Sequence, residues 1–215
     1  NASEPYEMWP SNNLVVSSVS HNNVDPQAND ADGFAAKLTV GDGNVFRYSI
    51  AHHNIDDGWD LYAKSTTGSI GDVRIEDSVA YHNGWLQSDP ETFGEGNGFK
   101  LGGESMPGAH LLSNSVAFDN HSRGVTSNSG PDVRVHDVTA YRSGGSNLNL
   151  YTSAESTDYE VTGVLSYLGG AADNLLLFAG AAAFAVYKYW PFVKEDFADL
   201  LAAVRWMSWE GWTSR

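Results

Sequence analysis

Asp32-Gly33-Phe34-Ala35-Ala36-Lys37, Asp57-Gly58-Trp59-Asp60-Leu61-Tyr62 and Asn97-Gly98-Phe99-Lys100-Leu101-Gly102 are three copies of one pattern. Each opens on Asp or Asn, turns at Gly, and then sets an aromatic ring before a small or charged residue. A fourth corner centres on Gly124, with weaker echoes at Asn147 and Asn174. A second pattern lies between the corners, in residues 14–22, 45–54, 73–83, 110–120 and 133–141, and its first four members end at Asn22, Asn54, Asn83 and Asn120. Each member reads as two short alternating β-segments. Repeats of β type at periods of roughly 23–40 residues make a solenoid. With Val, Ile, Phe and Tyr inward and Gly or Asn where a positive φ is needed, the pattern predicts an all-β, right-handed parallel β-helix rather than a propeller.

Aligned on glycine, the corners form columns. The position before Gly holds Asp32, Asp57, Asn97 and Arg123, and the position after it holds Phe34, Trp59, Phe99 and Val125. Strand residues alternate faces, so if the aromatic column points inward, Ala35, Asp60, Lys100 and Thr126 point outward, and Ala36, Leu61, Leu101 and Ser127 return to the core. Neighbouring coils stack at about 4.8 Å, which sets Asp32 one coil from Asp57 and Asp60 one coil from Lys100. Asp56 joins them by adjacency.

Four converging carboxylates repel one another unless a cation intervenes. An oxygen-only donor set with flexible turn geometry favours Ca²⁺ over zinc, copper or Mg²⁺. The alternative is that each Asp merely caps its turn. Lys100 is either a base beside a metal site or a salt-bridge partner of Asp60. A nearby cation favours its neutral amine. Lys37, Lys64 and Asn97 are candidate contacts for an anionic ligand, with plain solvation as the alternative for the lysines. The Asn column reads as a structural amide ladder, and His52, His53 and His82 beside it lack the third convergent ligand of a zinc site.

The chain has 215 residues, 22 of them Gly, no Cys and a formal charge of −15. Twelve Lys and Arg among twenty-seven Asp and Glu cannot form a broad basic face, which argues against a nucleic-acid partner, although a bound cation can invert the sign locally for a polyanion. Without Cys, disulfide and thiolate chemistry are excluded. The apolar stretch 175–190 is too short for a comfortable membrane span and is interrupted or ended by Gly180, Lys188 and Pro191. Beyond Pro191, Phe192, Val193, Phe197, Leu200, Leu201, Val204 and Met207 recur at helical spacing, predicting an amphipathic helix that caps the last coil. The expected organisation is one domain, with β-helix coils over 1–174 and an apolar segment plus capping helix over 175–215. The long gap 83–97 is expected to wall a groove. A start at Asn1 without a leader is consistent with a processed or truncated chain.

The motifs at 30–37, 56–61 and 96–103 closely resemble those of the pectate lyases of polysaccharide lyase family nine, over roughly residues 12–170. The resemblance implies a secreted, monomeric right-handed parallel β-helix that cleaves polygalacturonate by Ca²⁺-assisted β-elimination. It also implies calcium aspartates at Asp32, Asp56, Asp57 and Asp60 and a catalytic lysine at Lys100. The chain departs from the family by beginning where members have already completed several coils, and by its segment after Asp173. Two other readings stand beside it: a lyase or epimerase acting on another uronate polymer, and a calcium-stabilised β-helix that binds acidic polysaccharide without cleaving it.

Overall fold

A computed structural model describes residues 4–175. Within them the chain winds through six coils, each giving one strand to each of three six-stranded parallel sheets. The first sheet holds Leu14–Val16, Asn44–Arg47, Val73–Glu76, Leu111–Ser113, Arg134–His136 and Glu160–Thr162. The second holds Val19–His21, Ile50–His52, Val79–Tyr81, Val116–Phe118, Thr139–Tyr141 and Leu165–Tyr167. The third holds Phe34–Ala35, Trp59–Asp60, Phe99–Lys100, Val125–Thr126, Leu148–Leu150 and Asn174–Leu175. The stretch 175–190 beyond Leu175 and the helix expected over 192–209 lie outside the described residues. No helix among the described residues is long and apolar enough to cross a membrane.

The register of the third sheet follows the columns: Phe34, Trp59, Phe99, Val125 and Leu148 align, as do Ala35, Asp60, Lys100, Thr126 and Asn149. The rings of Phe34, Trp59 and Phe99 stack in the core with centroids 4.8 and 4.9 Å apart. Trp59 and Phe99 are fully buried. Asn147 sits at the glycine level, whereas Asn174 pairs with Asn149 and so belongs to the outward column, two positions beyond that level.

The glycine corners owe their residue to close approach and not to a positive φ. Gly33, Gly58, Gly98 and Gly124 all have ordinary negative-side backbones, but a Cβ on Gly58 would stand 2.5 Å from the Gly98 carbonyl and 2.9 Å from Asn83 Nδ2. The left-handed positions lie elsewhere, at two bends per coil. Ser17, Tyr48, Asp77, Asn114, Asp137 and Gly163 turn the first sheet into the second, and Asn22, His53, His82, Asp119, Arg142 and Leu168 turn the chain out of it.

Opposite the glycines, Ala51, Ala80, Ala117 and Ala140 form the inward column of the second sheet, all fully buried. Small side chains are required there because the glycine backbone is so near. The expectation of inward Tyr fails on this sheet for that reason. His21, His52, Tyr81, Phe118 and Tyr141 stack on its outer face instead, with centroids 4.8 to 5.1 Å apart.

The amide ladder exists but starts one residue later than expected. Asn23, Asn54, Asn83 and Asn120 pass one Nδ2–H···Oδ1 bond per coil, at 2.7, 2.9 and 2.9 Å. Asn22 takes the left-handed bend instead, a conformation Asn tolerates. A parallel serine ladder, Ser18, Ser49, Ser78 and Ser115, satisfies the first bend by backbone N–H···Oγ bonds.

Candidate active site

Two corners and one strand build an acidic cluster on the third sheet. Asp32 Oδ1 accepts the Asp57 N–H at 3.2 Å, and its Oδ2 accepts Lys37 Nζ at 2.8 Å. Asp57 Oδ1 accepts the Asn97 backbone N–H at 2.7 Å and Asn97 Nδ2 at 2.8 Å, while its Oδ2 stands 3.0 Å from Lys100 Nζ. Asp60 Oδ1 accepts the Tyr62 N–H at 2.9 Å, and its Oδ2 lies 2.9 Å from Lys37 Nζ and 3.7 Å from Lys100 Nζ. Asp56 differs from its neighbours: both of its carboxylate oxygens are buried without a hydrogen-bond partner.

Carboxylate oxygens of Asp32, Asp56 and Asp57 lie within 4.8 Å of one another, a spacing that can hold a metal ion. Asp60 stands outside that trio, between the two lysines. Five carboxylates, counting Glu95 at 3.4 Å from Lys100, surround two ammonium groups. Each unscreened pair at such a spacing costs about 3 kcal/mol at an effective dielectric of 20. The titration behaviour follows. Burial, then Asp57 and Asp32, push the Asp56 carboxyl up to about 8. Burial pushes Asp57 up to about 7 against the pull of Lys100. Burial opposes the charge on Lys100, but Asp57, Asp60 and Glu95 outweigh it and hold the ammonium above the ordinary lysine range. Lys37 is held above that range in the same way by Asp60 and Asp32. A buried, all-oxygen donor set with surplus negative charge, in which both Asp56 oxygens have no hydrogen-bond partner, fits a hard divalent cation of the Ca²⁺ type.

Of the residues singled out in the sequence, Asp32, Asp56, Asp57, Asp60, Lys100, Lys37 and Asn97 converge here. Lys64 does not: it lies in the 64–68 turn, near Glu104. The segment 83–97 forms an antiparallel hairpin, Trp85–Leu86 with Asp89–Phe93. It folds back over the first coils, where the Gln87 N–H donates to Asn22 Oδ1 and Gly94 packs on the Ala28 and Ile55 carbonyls. Its exit carries Glu95 to Lys100. Sequence reasoning missed Glu95 and the cluster of Tyr62, Glu104 and Ser65. Tyr62 Oη donates to Glu104 Oε1 at 2.6 Å, the Tyr62 ring packs on Gly103, and its centroid is 5.8 Å from Lys100 Nζ. The Gly102-Gly103 pair was the available signal, since it lets a ring lie against backbone.

A family model described as the Pel9A-like, right handed beta helix region matches residues 1–160. The chain belongs to this family. Its handedness and the resemblance to polysaccharide lyase family nine are thereby established. Pectate lyase L of Thermoclostridium stercorarium is 48% identical over 168 residues, which is 77% of this chain and 14% of that protein. Pectate lyase L of Paenibacillus polymyxa is 46% identical over 169 residues, 77% of this chain and 37% of that protein. The crystal structure of pectate lyase Pel9A superposes with a TM-score of 0.66 at 30% identity, covering 87% of this chain and 48% of that one. The chain thus spans less than half the length of these Pel9A-like relatives.

Proposed function

We propose that this chain carries the catalytic coils of a pectate lyase that cleaves polygalacturonate by β-elimination, with Lys100 as base and Asp32, Asp56, Asp57 and Asp60 as the cation-binding set. The observation that carries this reading is the pair of orphaned, buried Asp56 oxygens beside Asp32 and Asp57, with an amine one coil away. Bound there, Ca²⁺ would supply the positive charge that attracts a uronate carboxylate and acidifies the proton on its C5. Lys100 faces the same outward column as Asp60 and takes that proton. The C5 electron pair forms the C4=C5 bond, the C4–O glycosidic bond breaks, and the departing oxygen is protonated from solvent. Lys37, with its ammonium on Asp32 and Asp60, holds two of the carboxylates in place. A polymeric substrate of this kind also supports an extracellular protein.

A second reading, binding without cleavage, draws support from Lys100 itself, whose ammonium is paired with Asp57. The two separate by ultraviolet absorbance of the unsaturated product during incubation with polygalacturonate. The lyase reading expects a signal with Ca²⁺ that chelator abolishes. Retention of the polymer with no such signal leaves the binding reading.

A further inference from the structure

Asn97 occupies the same level as Asp32 and Asp57, the residue before each glycine corner. At this level each aspartate accepts the backbone N–H of the next coil: Asp32 Oδ1 from Asp57, and Asp57 Oδ1 from Asn97. Asp57 alone receives a second donor, the Asn97 side-chain amide, on that same oxygen. We propose that Asn97 is a positioning residue for the cation site, its amide locking Asp57 so that Oδ2 is presented to the cluster. The inference rests on the cation-site reading above and names the residue that organises it.

Three observations carry it. Asn97 is only 2% exposed, so it acts on a ligand through Asp57 and not by touching a polysaccharide. Its own Oδ1 is buried without a partner, a destabilising arrangement that an apolar side chain of the same shape would avoid. The residue therefore contributes through its donor end. A third Asp at this level would set another carboxylate about one strand spacing from Asp57 and supply no side-chain N–H. By contrast Asp32, with one longer N–H contact, is oriented by Lys37.

The test is calorimetric titration of Ca²⁺ into the wild type, Asn97→Ala and Asn97→Leu, with thermal melting in chelator alongside. Leu keeps the shape of Asn and sustains folding where Ala leaves a void. Loss of a hydrogen bond that orients a ligand weakens metal affinity by about 10–100-fold. The expected result is a Ca²⁺ dissociation constant raised at least about tenfold in a folded variant, with kcat recovering as Ca²⁺ is raised. A folded variant that binds Ca²⁺ as the wild type does, with only its melting temperature lowered, overturns the assignment. If the wild type itself takes up no Ca²⁺, the cation-site reading is what fails.

Discussion

Lys100 Nζ stands 3.0 Å from Asp57 Oδ2, so the amine is paired with one member of the metal-capable trio. A base must be free of its proton, and this contact holds the proton on. Cation binding at Asp57 would compete for the same oxygen, weaken the ion pair and lower the lysine pKa. On the proposed function, metal binding and activation of Lys100 would be one event.

The raised carboxyls give the cation-free protein a defined pH response. Asp56 at about 8 and Asp57 at about 7 bind protons more tightly folded than unfolded. Their stabilising contribution is complete below the ordinary carboxylate pKa and is lost as pH rises through the folded values. The buried His110 and the half-buried His52, both lowered to about 4, change charge only below about 6.5. The melting temperature in chelator is therefore expected to fall between pH 6.5 and 9. Asp56→Asn should flatten that fall, and Ca²⁺ should raise the melting temperature more at pH 9 than at pH 6.5.

Lys37→Met removes the ammonium that bridges Asp32 and Asp60 across two coils. Breaking a buried ion pair by deleting one partner costs roughly 3–5 kcal/mol, less for a lysine that is partly exposed. A loss of about 1–3 kcal/mol in denaturant unfolding with chelator present is expected, partly recovered by Ca²⁺. An unchanged midpoint would mean that the bridge is not formed in solution.

Gly58→Ala tests the close-approach account of the corners. The added Cβ meets the Gly98 carbonyl at 2.5 Å, backbone that cannot yield without moving the next coil. Overpacking of this kind costs about 1–3 kcal/mol, occasionally more. At Gly68 nothing lies within 4 Å and only the positive φ resists, so Gly68→Ala should cost about 1–2 kcal/mol, below the loss at Gly58. Equal losses in chemical denaturation would contradict the account.

The columns were legible because a period-two pattern repeated at a glycine leaves one register open, and Phe34, Trp59, Phe99, Asp60 and Lys100 all fall in it. What eluded the sequence depended on depth. Ala51 and its copies look like ordinary strand residues until the nearby glycine backbone shows why nothing larger fits, and that choice sends Tyr81 and Phe118 to the outer face. Asn22 and Asn23 are chemically alike, so which one ladders is decided by the φ of the bend. Glu95 reaches Lys100 only because the hairpin returns toward the first coils, a path that no local pattern encodes.

The most direct measurement compares product absorbance from polygalacturonate for the wild type and Lys100→Met at saturating Ca²⁺, with Ca²⁺ binding measured on both. The account predicts Ca²⁺-dependent product from the wild type and its loss in Lys100→Met, with Ca²⁺ binding retained. Product formed by Lys100→Met at the wild-type rate would contradict it.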